Sequence, residues 1–163
     1  MTSNLSAVVV AAGASRRMGF DKLLTPLAGK PLLAHTLTRL AEAAELEEII
    51  LVIREETRAD VEKMLEEVPC GERVQLALGG AERQDSVRNG LAALTGSAEY
   101  VLIQDAARPF ITKELVEVVL AAVEKTGAAV CGHPASDTLK LADEEGQVKH
   151  TVDRSQVWLV QTP

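Results

Sequence analysis

Aromatic residues are nearly missing from this chain: two Phe, one Tyr and one Trp make up 2% of 163 residues. So few rings cannot form a platform on which nucleobases stack. A basic excess is missing too, because 17 Lys and Arg against 24 Asp and Glu leave a net charge of −7. That balance argues against a general nucleic-acid binder or an anionic-membrane binder. Cys70 and Cys131 stand far apart without C-x-x-C spacing, and His35, His133 and His150 are equally scattered. They read as ordinary thiols and imidazoles, with neither a disulfide nor a metal site. No apolar run approaches the ~20 residues that span a bilayer. Met1-Thr2-Ser3-Asn4 lacks the basic start of a secretory signal, and the apolar stretch from Ala7 leads into arginines, not a cleavage site. A cytoplasmic protein is expected. Repeats, linkers and low-complexity segments are also lacking.

What is present is concentrated at the start, in Ala7-Val8-Val9-Val10-Ala11-Ala12-Gly13-Ala14-Ser15-Arg16-Arg17-Met18-Gly19-Phe20-Asp21-Lys22. Three consecutive valines read as a strand buried on both faces. The run ends in small residues that let a backbone approach a ligand, then in three cations. Bare N–H groups beside positive side chains make a cradle for phosphates. Neither famous phosphate loop fits: Phe20-Asp21-Lys22 after Gly19 breaks the G-x-x-x-x-G-K-[ST] spacing, and Gly13-Ala14-Ser15 breaks G-x-G-x-x-G. A structural strand-to-loop turn with solvated arginines is the alternative reading.

Downstream, Gly29-Lys30-Pro31 opens a helix with proline in its first turn, and Leu32, Leu33, Thr36, Leu37, Leu40 and Ala44 recur along one face. Strands are expected at 48–53, 73–78, 99–104 and 127–132, and helices at 57–68, 82–94 and 112–126. Val87, Leu91 and Leu94 should face inward from the third helix. In the last helix, capped by Thr112, the inward set is Leu115, Val118, Val119, Ala122 and Val123. This alternation predicts a three-layer α/β/α sandwich around a Rossmann-like, mostly parallel sheet. It breaks after Gly132, where 137–141 and 147–151 flank Asp143-Glu144-Glu145-Gly146 as a β-hairpin. A single domain over 1–163 is expected, with a hairpin arm at about 134–155. Such an arm has edges to cover, and dimerisation is one solution. Val157-Trp158-Leu159-Val160 then reads as strand just before the last residue, so a C-terminal truncation is expected.

Ligands of open α/β sheets bind beyond the carboxyl ends of the strands. Three unusual segments fall there: Gly13 to Lys22, Gly79-Gly80-Ala81-Glu82-Arg83-Gln84-Asp85-Ser86, and Asp105-Ala106-Ala107-Arg108-Pro109. A carboxylate on a strand end such as Asp105 can bind Mg²⁺. It can also cap a turn, or pair with Arg108 for ~0–1 kcal/mol at the surface. The metal is preferred because triphosphate chemistry needs one.

The first loop, A-A-G-x-x-x-R-M-G followed by lysine, resembles the signature of sugar nucleotidyltransferases. Together with Asp105-Ala106-Ala107-Arg108-Pro109, Gly79-Gly80 to Asp85-Ser86-Val87, Asp137-Thr138-Leu139-Lys140 and Thr151-Val152-Asp153-Arg154, it resembles the 2-C-methyl-D-erythritol 4-phosphate cytidylyltransferases from the first strand to the last residue. The resemblance implies a nucleotidyltransferase fold and attack by the methylerythritol phosphate oxygen on the α-phosphorus of CTP, releasing pyrophosphate. It implies Arg17 and Lys22 at the transition state and Arg154 on the substrate phosphate. Ala11, Ala12, Gly13, Gly80 and Ser86 would bind cytidine, and Asp105 would assist Mg²⁺. Asp137, Thr138, Arg108 and Thr162 would contact substrate, the first two on an arm reaching into the partner of a homodimer. Ribitol 5-phosphate cytidylyltransferases share most of these motifs, and molybdopterin nucleotidyltransferases share the first. A non-catalytic nucleotide-binding module stays open. Two departures stand out: Ala81 replaces an acidic residue of some relatives, and the chain ends before a second phosphate-binding lysine.

Overall fold

A computed structural model describes residues 4–13, 21–96 and 98–163. The opening valines form β1 (Leu5–Val10). Two short strands, β2 (Pro26–Leu27) and β3 (Lys30–Pro31), pair antiparallel around Ala28 and Gly29, both at positive φ. The chain then alternates: α1 (Leu32–Ala43), β4 (Ile49–Ile53), α2 (Arg58–Leu65), β5 (Val74–Leu78), α3 (Arg83–Ala92), β6 (Tyr100–Asp105) and α4 (Lys113–Thr126). β5, β4, β1 and β6 lie in that order as a parallel sheet, with Val10 opposite both Val52 and Asp105.

Side chains of a strand alternate between the sheet's faces. Ala7, Val9, Ile49, Leu51 and Ile53 therefore point one way, into a core shared with Leu33, Leu37 and Leu40 of α1, Val61 and Met64 of α2, and Val116 of α4. Val8, Ile50 and Val52 point the other way, towards Ala93 and Leu94 at the end of α3. The expected three layers result. Each large apolar side chain so buried contributes roughly 1.5–3 kcal/mol.

Two helix faces differ from the expected ones. Leu91 of α3 is exposed and Val87 half-buried; Leu94 packs on the sheet as expected, but the buried residues of the helix itself are Ser86 and Gly90. A Cβ at Gly90 would stand 2.4 Å from Val8 Cγ1 and 2.8 Å from Val52 Cγ2, so the helix seats its glycine on the sheet. On α4, Thr112 caps as expected, accepting from the Leu115 N–H at 3.3 Å. Val116 is its buried residue, however, and Val118 is exposed. Val119, Leu120 and Val123 of α4 line an apolar groove of about 670 Å³ along β6, so this face meets open space instead of packed core.

That groove lies where a fifth parallel strand was expected. Gly127 ends α4 in the left-handed conformation (φ 81°), its N–H donating to the Val123 carbonyl at 2.7 Å. The next residues line the groove without joining the central sheet. The strand that follows, β7 (Gly132–Pro134), precedes the arm strands β8 (Lys140–Ala142) and β9 (Val148–Thr151) and pairs antiparallel with β10 (Trp158–Val160). Cys131 continues this pairing, its carbonyl accepting from the Gln161 N–H at 2.7 Å. The segment found its partner in the end of the chain, which local sequence periodicity could not show. Among the described residues no helix is long and apolar enough to cross a membrane.

Candidate active site

Backbone bonds carry the sheet past its strand ends and set the starts of three loops along one edge. Ala11 N–H donates to the Val52 carbonyl at 2.8 Å, Gly79 N–H to that of Ile53 at 2.8 Å, and Ala106 N–H to that of Val10 at 3.1 Å. The first two loops touch. A Cβ at Gly79 would lie 2.3 Å from Ala12 Cβ and 3.0 Å from Ser86 Oγ, and one at Gly80 only 2.2 Å from Asp85 Cβ. Glycine is needed here for close approach of backbone to neighbour. Ala11 is buried, Ala12 half-buried and Gly13 exposed with open space beside it. Ser86 is 2% exposed, and its hydroxyl accepts from Gly80 N–H at 3.1 Å while donating to the Glu82 carbonyl at 3.2 Å. Ser86 Oγ and the Gly80 N–H, on the segment expected to meet cytidine, hold each other, so Ser86 shapes the loop from within.

Asp105 closes the third strand end. Its Oδ1 accepts from Arg83 Nη2 at 2.7 Å and Nε at 3.2 Å, and its Oδ2 from Arg108 Nε at 3.1 Å. Burial works to raise the pKa of this carboxyl, but the hydrogen bonds and charges of Arg83 and Arg108 outweigh it, leaving it below its ordinary value. Thr162 Oγ1 accepts from the Asp105 N–H at 3.2 Å, fastening the end of the chain to β6. Gln104, fully buried, donates to the Arg108 carbonyl at 2.9 Å, and Thr36 of α1 donates to that of Ala106 at 2.7 Å. This loop is held from below by polar side chains inside the core.

The donor set does not fit a protein-held Mg²⁺. Both oxygens of Asp105 are engaged by guanidinium groups, so an ion there would sit against two positive charges. Asp105, expected as a metal ligand, is here the centre of the ion-pair alternative, extended to a second arginine.

Lys22 is half-buried in the turn that follows the first loop. Asp21 Oδ1 accepts from Leu23 N–H at 3.0 Å, and Asp21 Oδ2 pairs with Arg54 Nη2 at the end of β4. Arg17 lies outside the described residues. Asp137, Thr138 and Arg154 form a separate group on and beside the arm, all exposed, with Arg154 Nη1 donating to the Ser136 carbonyl. No described hydrogen bond or ion pair joins this group to Asp105, Arg108 or Lys22.

A conserved-domain model described as 2-C-methyl-D-erythritol 4-phosphate cytidylyltransferase matches residues 5–163. The chain belongs to that family. A cytidylyltransferase of this name from Bacillus mycoides is 44% identical over 158 residues, covering 96% of this chain and 69% of the relative. One from Dictyoglomus thermophilum is 39% identical, with 96% and 68% covered. Among solved structures, the 4-diphosphocytidyl-2C-methyl-D-erythritol synthase of Anaerococcus prevotii superposes with a TM-score of 0.82 at 31% identity, covering 99% of this chain and 69% of that one. The Thermus thermophilus cytidylyltransferase gives a TM-score of 0.72 at 32% identity, with 98% and 68% covered.

Within this family frame, three residues at the loops' edge had gone unassigned in the sequence. Arg83 lies within the Gly79 to Ser86 segment, three residues beyond Gly80. Arg54 follows the wholly apolar 49–53 run and therefore sits at a carboxyl strand end as Asp105 does. The same rule of topology that singled out Asp105 would have found it. Gln104 carried a weaker signal, a lone amide directly after the apolar run 101–103.

Proposed function

We propose that this chain transfers CMP from CTP to 2-C-methyl-D-erythritol 4-phosphate, yielding 4-diphosphocytidyl-2-C-methyl-D-erythritol and pyrophosphate. The observation that carries the proposal is the packing of Gly79 on Ala12 beside the Asp105 clasp. It brings the described parts of three family motifs onto one backbone-lined edge.

An in-line displacement between polyanions needs charge neutralisation and alignment more than covalent chemistry. Ala11, Ala12, Gly13 and Gly80 would receive the nucleotide through backbone groups. Lys22 and Arg17 would meet the charge that develops on the transferring phosphoryl group. Arg108, held in orientation by Asp105 and Gln104, would face substrate, with Thr162 closing the same end of β6. Mg²⁺ would arrive as the CTP complex on phosphate oxygens and water, leaving Asp105 to its arginines.

The arm supports a homodimer reading. Every residue of β8 and β9 is exposed, and a lone two-stranded hairpin is marginally stable in water. Arg154, Asp137 and Thr138 have no described bond to the loops of their own chain. In a dimer, Arg154 of one subunit would orient the substrate phosphate for the loops of the other.

The test is pyrophosphate release in the protein expressed from its whole reading frame, with CTP, Mg²⁺ and methylerythritol phosphate. Lys22→Ala should lower kcat by at least ~10², the scale of losing one preorganised electrostatic donor. No turnover of methylerythritol phosphate together with turnover of ribitol 5-phosphate would move the assignment to the sister activity. CTP binding without any pyrophosphate release would leave a nucleotide-binding module.

A further inference from the structure

One ion pair at the carboxyl edge lies outside the chemistry assigned so far. Arg54 is the residue after β4, and its backbone is fixed there: its carbonyl accepts from Thr57 N–H at 3.2 Å and Thr57 Oγ1 at 3.0 Å. Its Nη2 donates to Asp21 Oδ2, with both side chains about three-quarters buried, at 30% and 25% exposure. Arg54 Nε is buried and has no partner among the described residues.

Asp21 does more than pair. Its second oxygen spans Lys22 to accept the Leu23 N–H at 3.0 Å, and its carbonyl accepts from Thr25 Oγ1 at 2.9 Å. On the far side, Leu23 is buried in the main core, and its carbonyl accepts from Leu33 N–H at the start of α1 at 2.9 Å. The backbone of Lys22 is thus tied to the sheet through Arg54 and to α1 through Leu23. A lysine on a long flexible stem serves a transition state only if its root is fixed.

We propose that Asp21 and Arg54 form a latch that positions Lys22 for phosphoryl transfer, an inference that rests on the assignment of Lys22 to the transition state. The pair acts as a pair. A carboxylate adjoining a triphosphate site repels it unless neutralised, and Arg54 supplies that neutralisation while anchoring the turn to β4.

The test is a double-mutant cycle on the protein expressed from its whole reading frame, read as kcat and KM for CTP with melting temperature alongside. Asp21→Asn should lower kcat ~10-fold with KM for CTP changed less than ~3-fold, and should have no further effect in a Lys22→Ala background. Arg54→Gln, which leaves Asp21 bare, should raise KM for CTP as well. Adding Asp21→Asn should recover the KM but not the kcat, and Arg54→Lys should keep most of both. Equal losses from Asp21→Asn in the presence and absence of Lys22 would overturn the latch, as would a wild-type kcat in Asp21→Asn while Lys22→Ala is slow. A wild-type rate in Lys22→Ala would overturn the assignment beneath it. A high KM for CTP that persists in the Arg54→Gln, Asp21→Asn double variant would show Arg54 to be a direct phosphate ligand, against the latch.

Discussion

Gly79→Ala is the sharpest probe of the site, because the added methyl has nowhere to go. Its Cβ would lie 2.3 Å from Ala12 Cβ and 3.0 Å from Ser86 Oγ, whereas carbon atoms settle at about 3.5–4.0 Å. The loops after β1 and β5 must part by roughly 1.2–1.7 Å on that contact alone. Overpacking of this kind costs about 1–3 kcal/mol, or ~2–12 °C in Tm for a domain of this size. A shift of about 1 Å between positioning groups lowers rate by ~10². The variant should therefore melt earlier, bind CTP at least ~10-fold more weakly by calorimetry and turn over ~10²-fold more slowly. Adding Ala12→Gly removes the closest atom and should recover most of the melting temperature and affinity. If Gly79→Ala melts and binds like the parent, or if Ala12→Gly recovers neither property, the two loops do not form one site.

Glu48, 7% exposed, accepts from Thr95 N–H, Thr95 Oγ1 and Gly96 N–H. Glu48→Ala should cost about 1.5–3 kcal/mol in urea unfolding at neutral pH by removing these charge-assisted hydrogen bonds, their donors lying on exposed residues that water can reach. Burial works to raise the Glu48 pKa, and these hydrogen bonds outweigh it, so the pKa is lowered in the folded state. Its contribution is therefore full above the unfolded carboxyl value near ~4.3 and lost as pH falls through the lower folded value. Parent and variant should converge in acid, and a gap that stays constant down to about pH 2 would refute the carboxylate as the cause. For Asp105, titration of Mg²⁺ into nucleotide-free protein should show no saturable binding. Saturable binding that Asp105→Asn abolishes would restore it as a metal ligand.

The alternation of strands and helices was legible because buried parallel strands read as unbroken apolar runs, and 49–53 is buried at every residue. The carboxyl-edge rule located three segments whose described residues the fold brings to one edge. Helix faces were less legible where packing is made by absence: Gly90 and Ser86 carry no hydrophobic signal, yet they are the side of α3 that meets the sheet. The expected strand at 127–132 failed because a strand is defined by its partner, and here Cys131 to Pro134 pairs with residues near the end of the chain. Asp105 was weighed against Arg108 alone, since Arg83 is distant in sequence and reaches it only once α3 is seated. Ser86 was singled out only through the family resemblance, since nothing local in the sequence shows that its hydroxyl turns in to hold the Gly80 N–H.

The seating of α3 on Gly90 also limits how this protein can change over generations. No flexible side chain cushions the helix against Val8 and Val52, and closely packed interiors pass strain on instead of absorbing it. Position 90 is therefore closed to every side chain, while Arg83, Gln84, Arg88 and Leu91 stand exposed on the same helix. Descendants of this chain could rewrite that outward face at Gln84 and Leu91, Arg83 being held by Asp105 and Arg88 by Asp85 of the cap, without moving the loop that α3 carries at its start.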